Sequence, residues 1–132
     1  MNIKYIRSFV YIIVTTAVIV LGSAGLLHHG WANYDQETEL EFTGTIQEGS
    51  IENPHSYIEL EVDGGQEEAD VEESVWLVIL APASRMTNRG ITVEMIATGS
   101  EVTVHGHPHR TTDYEMRAES ITIGDMTVGL RR

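Results

Sequence analysis

Cysteine is absent from the 132 residues. That gap excludes disulfides, iron–sulfur clusters, thiolate zinc sites, c-type haem attachment and a thiol nucleophile. Cations are scarce: 8 Lys+Arg stand against 20 Asp+Glu, a formal charge of −12 at pH 7. A surface of that sign repels phosphate backbones, which makes nucleic acid a poor partner. No Gly-x-Ser-x-Gly elbow surrounds Ser84, no His-Glu-x-x-His occurs, and no glycine-rich phosphate loop follows a strand. No catalytic residue is therefore assigned. What is present, 42% hydrophobic and 21% charged residues, suffices for one globular core with a short appendage.

The few cations are unevenly placed. Lys4, the single lysine, and Arg7 precede an apolar run from Phe9 to Leu21, which ends in Gly22-Ser23-Ala24-Gly25. Positive flank, apolar centre and small-residue exit make a secretory signal over residues 1–25. Ser8 to Leu27 is also 20 residues without a charge, long enough for an uncleaved anchor. The expected location is periplasmic or extracellular, with membrane contact only through residues 8–27 if the segment is retained. The exported remainder carries six arginines against all the acids, a surface suited to an envelope protein partner of positive charge.

After an irregular stretch at 26–38, period-two alternation governs residues 39–132. Leu40, Phe42 and Ile46 share one face of a first strand, with Gly44 a bulge or bend on the apolar side. Ile58, Leu60 and Val62 mark a second strand that runs into Asp63-Gly64-Gly65. The acidic stretch Glu59 to Glu73 lacks calcium-loop spacing and reads as a solvated hairpin tip. Val75 to Leu80 forms a third strand, and Ala81-Pro82 opens a short helix that Gly90 caps. A helical turn at Thr92 to Ala97 precedes a fourth strand through Val102 and Val104. Ile121 and Ile123 mark a fifth, and Thr127 to Leu130 a last ribbon. Three strands, a helical connection and further strands predict a mainly β, small OB-like antiparallel barrel behind the export segment.

All six histidines follow that segment. In a chain without cysteine, imidazole supplies the nitrogen ligands for copper or zinc. His28-His29, in an irregular stretch beside Gly30, and His55 of Asn53-Pro54-His55 can converge on one ion as a three-imidazole site with an open position for water. Tyr34 and Asp35 are candidates to orient an imidazole through hydrogen bonds. Cleavage after Gly25 leaves Leu26-Leu27-His28, whose free amine and third-position histidine suit square-planar Cu(II) or Ni(II), whereas cleavage after Ala24 abolishes that geometry. His105, His107 and His109 alternate, so a continued strand projects them from one face about 6.5–7 Å apart, a second candidate metal site. Pro108 removes a ladder donor and places the strand end or an edge there. Arg85, Arg89, Arg110 and Arg117 read as salt-bridge partners of the many carboxylates.

His28-His29-Gly30-Trp31, Tyr34-Asp35, Phe42-Thr43-Gly44-Thr45-Ile46 and Asn53-Pro54-His55 resemble the pattern of a family of small exported bacterial proteins of unknown function. Leu80-Ala81-Pro82-Ala83-Ser84-Arg85-Met86, Arg89-Gly90 and Glu115-Met116-Arg117-Ala118-Glu119 extend the likeness over nearly the whole region behind the signal. The resemblance implies an exported small barrel with His28, His29 and His55 at recurring positions. The sequence departs from that family in placing Leu26-Leu27 before the histidine pair.

The favoured expectation is an exported module that binds copper, or zinc, for storage, delivery or sensing. The alternative is a nonmetal protein- or glycan-interaction or structural module of the cell envelope, with Trp31, Tyr57 and Tyr114 on its interaction face.

Overall fold

The computed structural model describes residues 30–63 and 75–132. The predicted export segment, His28 and His29, and the predicted turn and acidic tip from Gly64 to Ser74 lie outside the described residues. Two compact units divide at Asn33 and Tyr34. In the first, the described residues form a 3-10 turn at Trp31–Asn33. Among the described residues no helix is long and apolar enough to cross a membrane.

The second unit holds β1 (Leu40–Ser50), β2 (Tyr57–Val62), β3 (Val75–Ile79), α1 (Ala83–Asn88), a 3-10 turn at Glu94–Ile96, β4 (Glu101–Pro108), β5 (Glu115–Ile123) and β6 (Met126–Gly129). The sheet runs β3-β2-β1-β4-β5-β6, and a parallel pairing of β3 with β5 joins its two sides. Five strands therefore close into a barrel with the helical connection between the third and fourth, the OB-like arrangement expected from the element order. The closing contact is the parallel one, with Leu77 opposite Glu115 and Ile79 opposite Arg117.

Alternation explains the core. Phe42 and Ile46 of β1, Ile58 and Leu60 of β2, Val78 of β3, Val102 and Val104 of β4, and Met116, Ala118 and Ile121 of β5 point inward and are buried. Pro82 occupies the helix N-cap, where it loses no helical hydrogen bond, and Met86 of α1 drops into the core at 0% exposure. Gly90 takes the left-handed conformation (φ +83°) beyond the helix and bonds back to Thr87.

Two details differ from the alternation pattern. The irregularity in β1 falls between Ile46 and Glu48; Gly44 stays in register, and its role is close approach. A Cβ there would strike the carbonyl of Glu61, with its carbonyl carbon 2.9 Å away. Opposite the His105–Gly106 step of β4, β5 carries a bulge whose extra residue is Glu119. Gly106 is pressed against β5 so tightly that a Cβ would meet the Arg117 carbonyl and lie 2.8 Å from the Ala118 Cα.

Two glycine substitutions separate close approach from backbone strain. Gly106→Ala should lower stability by about 1–3 kcal/mol or more through backbone overlap. Gly124→Ala, at φ +59° with nothing within 4 Å, should cost about 1 kcal/mol from its left-handed backbone alone. Urea midpoints check the order, and a smaller loss at Gly106 contradicts the close approach.

Candidate functional site

In an OB-like barrel the β1–β2 and β4–β5 loops flank the outer face of the second and third strands. Here these loops are residues 51–56 and 109–114. The first is braced against the start of α1. The Ala83 amide donates to the Glu52 carbonyl (3.1 Å) and to Asn53 Oδ1 (3.2 Å), across a cis Asn53–Pro54 bond. Ser56 is fully buried and extends the β2–β3 ladder, its amide donating to Ala81 and its carbonyl accepting from Leu80. His55 stands just ahead of this ladder, before Tyr57, whose side chain alternates to the outer side of the sheet. His55 Nδ1 is buried without a hydrogen-bond partner. Burial, then the guanidiniums of Arg117 and Arg85, push its imidazole below the ordinary histidine range and hold the ring neutral.

Along the same outer side runs a cross-strand row, with Tyr57 opposite Ile79, Ile79 opposite Arg117, and Arg117 opposite His107. Arg117 and His107 are buried although they face away from the core. The reason is a strap, Tyr34 to Thr38, laid over β4 and β5. Tyr34 bridges to His109, the Asp35 amide donates to the Pro108 carbonyl (2.9 Å), and the Tyr34 hydroxyl donates to Glu115 Oε1 (2.6 Å). The Tyr34 ring lies 5.9 Å from the Arg117 guanidinium and edge-on to His109 at 5.1 Å. Burial and the Glu115 carboxylate push the Tyr34 phenol well above its usual range.

The three later histidines have three separate bonding arrangements. His107 donates from Nδ1 to the Thr38 carbonyl (2.7 Å) and sets Nε2 3.1 Å from Glu119 Oε1, so both ring nitrogens are engaged. His109 Nδ1 accepts the amides of Thr112 (2.9 Å) and Thr111 (3.2 Å). His105 stands 6.5 Å from His107 between ring centroids, with Nε2 3.6 Å from Glu39. Among the described residues no group of three His, Cys, Asp or Glu side chains is placed to hold a metal ion. Of the two residues expected to orient an imidazole, Tyr34 bonds Glu115. The Asp35 carboxylate closes its own turn on Thr38 (2.8 Å) and the Glu37 amide (3.1 Å), bonds that pull it below the usual range.

Each aromatic candidate belongs to a different element or loop. Tyr57 donates to Glu48 (3.0 Å), Tyr114 packs edge-on to Trp76 at 5.7 Å, and Trp31 lies in the first unit. What the sequence reading missed is the gathering of arginines. Arg85 donates to the Leu130 carbonyl (3.1 Å), Arg89 to the carbonyls of Gly129 and Arg131, and Arg131 pairs with Glu119. Arg85 and Arg117 both act on His55, and Arg85 and Arg131 on Arg117. The signal available in the sequence was Arg117 set between Met116 and Ala118, which are both core residues.

The closed barrel, its connectivity and its flanking loops define an OB-like module. The chain belongs to the family of unknown function DUF6152, which matches residues 16–116. No curated protein matches it. Solved structures similar to it include the complex of TiaS with a tRNA and ATP, at 16% identity and TM-score 0.44, covering 74% of this chain and 20% of that one. Another is the S. cerevisiae mitochondrial single-stranded DNA-binding protein Rim1, at 11% identity and TM-score 0.46, covering 66% and 93%. The S. pombe Stn1–Ten1 complex follows at 15% identity and TM-score 0.40, covering 64% and 56%. This chain thus spans only a fifth of the first of these.

Glu119 provides a test of the cluster around the strap. Burial alone would raise its carboxyl, but the bonds from Arg131 and His107 outweigh it and hold the group below its ordinary 4.5. A depressed folded value means stability present above the ordinary value and lost as pH falls through the folded one. The wild type should therefore exceed Glu119→Gln in urea midpoint at about pH 6, and the gap should shrink toward about pH 3. A gap that does not change with pH rules out the ionised pair as its source.

Proposed function

We propose that this chain is an exported OB-like module that binds a transition metal through histidine, copper ahead of zinc, in storage, delivery or sensing. The observation that carries the reading is His55: a neutral imidazole whose Nδ1 is buried and unpartnered. An unmade hydrogen bond at a buried nitrogen costs about 1–3 kcal/mol. A ligand that reaches it recovers that loss, and metal ions bind imidazole in the neutral form. The sequence supplies two further imidazoles at His28 and His29, outside the described residues, and no thiolate. A nitrogen donor set favours Cu(II) over Zn(II) by the ordinary order of divalent affinities.

A second reading, an envelope module for a partner of positive charge, draws on the acids of the outer face. Glu48 lies opposite Glu59, while Thr45 lies opposite both Glu61 and Glu101, so acids from β1, β2 and β4 share one side of the barrel. Such a face attracts cationic protein surfaces and shows no dependence on metal.

Copper and zinc titrations followed by calorimetry and native mass spectrometry test the first reading. His55→Ala should weaken copper binding by more than about 100-fold, beyond the usual effect of losing an outer hydrogen bond to a ligand. Its circular dichroism and melting temperature should stay near wild type. Unchanged affinity in the folded variant removes His55 from the site and overturns the reading, while partner binding that survives chelator favours the second.

A further inference from the structure

We propose that the outer edge of β6 is a self-association surface, matched to β6 of a second copy of this chain, and that the Arg89 guanidinium keeps it closed. In the order β3-β2-β1-β4-β5-β6 the pairing of β3 with β5 closes the barrel and leaves β6 with β5 as its one neighbour among the described residues. A strand paired on one side presents a row of backbone donors and acceptors on the other, a template for a further strand.

The register fixes which groups those are. β5 and β6 are antiparallel, with Val128 opposite Ile121 and Gly129 opposite Ser120, and the Leu130 amide donates to the Glu119 carbonyl (2.6 Å). Hydrogen-bonded and non-bonded residues alternate along such a ladder. Val128 and Leu130 therefore turn their backbone groups toward β5, while Thr127, Gly129 and Arg131 turn theirs outward. The outward carbonyls of Gly129 and Arg131 both accept from Arg89 Nη1, the second at 3.0 Å. The guanidinium thus stands where the amides of a next strand would stand. It comes from just beyond α1, 40 residues away in the chain, and among the described residues it pairs with no carboxylate.

The strand has no such protection of its own. Sheet edges are commonly blunted by charged residues or proline, and Met126-Thr127-Val128-Gly129-Leu130 contains neither. Thr127 and Gly129 are exposed. A Cβ on Gly129 would have Arg89 Nη1 as its nearest neighbour, at 3.9 Å, so the approach to the edge is occupied by that side chain.

A second copy fits the edge by symmetry. A two-fold axis at Val128 sets Thr127 of one copy opposite Gly129 of the other, an isologous antiparallel pair bonded through the outward amides and carbonyls of both residues. The Gly129 carbonyl needed for that pair is the one Arg89 holds, so pairing requires the guanidinium of each copy to withdraw. Charge favours this contact over others between copies. The chain carries 20 acids, yet none lies between Met126 and Arg132, so the acid–acid repulsion that separates two copies elsewhere is absent where the edges meet.

The test uses the full chain in detergent, which keeps the apolar run Phe9 to Leu21 from associating by itself, with chelator present to exclude metal bridging. Sedimentation equilibrium compares wild type with Arg89→Ala. The variant should dimerise about 100-fold more tightly, about tenfold for the charged hydrogen bonding that each copy no longer has to break. Arg132→Ala makes the same change of charge and should behave as wild type. Gly129→Pro removes an outward amide and leaves the β5–β6 ladder intact, so adding it to Arg89→Ala should return association to the wild-type level. Hydrogen exchange at the Thr127 and Gly129 amides should slow in the Arg89→Ala dimer. If Arg89→Ala does not fold, Arg89→Met keeps the apolar stem without donors and should dimerise in its place. Wild-type association in the folded variant overturns the proposal, as does a dimer that survives Gly129→Pro. Slowed exchange in a variant that stays monomeric assigns the edge to a segment of its own chain and overturns the two-copy pairing. With metal removed throughout, these outcomes are separate from the fate of the copper reading.

Discussion

The parallel pairing of β3 with β5 is the constraint on which the rest of this structure depends. The other barrel pairings are antiparallel and leave β3 and the first part of β5 open on one side, since β6 covers only Ser120–Ile123, an arrangement that invites pairing with other chains. Three residue pairs, Leu77 with Glu115, Val78 with Met116 and Ile79 with Arg117, close these two openings on each other. The same contact places an arginine beside the β1–β2 loop, since Ile79 also pairs with Tyr57 on its other side. The close packing of β4 on β5, for which Gly106 has no room for a side chain, continues the row to His107.

That row carries buried polar groups on the side of the sheet away from the core, and burial there demands partners. The strap from Tyr34 to Thr38 supplies them for His107, through the Thr38 carbonyl, while Glu119, the bulged residue of β5, supplies the other side of the ring. Glu119 then joins Arg131, so one irregularity in β5 ties the strap, β4 and the C-terminal stretch together. His55 is an exception, with Nδ1 buried and unpartnered, and among the described residues Trp76 Nε1 is a second buried nitrogen whose bond the fold leaves unmade.

Much of the architecture was legible because its signals are local. Ile58 and Leu60 alternate with Tyr57 and Glu59, Ala81-Pro82 stops a strand and starts a helix, and Gly124-Asp125 turns β5 into β6. The site was less legible. The spacing of His105, His107 and His109 suggests one shared face, and His105 and His107 do stand 6.5 Å apart between ring centroids, but each ring finds its own partner. Arg85, Arg89 and Arg117 read as partners of carboxylates, yet Arg85 and Arg89 bond backbone carbonyls of a stretch 40 or more residues away. Gly44 reads as a bend because a strand glycine often is one, and the crowding against Glu61 that requires it is visible only once β2 is in place.

By itself the sequence determined what neighbouring residues decide among themselves: the strands, the short helix, the turns, the absence of thiol chemistry and the strongly acidic balance. These follow from side-chain period, backbone restriction and composition, which act within a few residues. Only the tertiary structure decided which cations meet, which histidines are already bonded and which buried nitrogen is left open. Those outcomes depend on register between strands far apart in the chain, where one bulged residue changes the neighbours of every side chain beyond it.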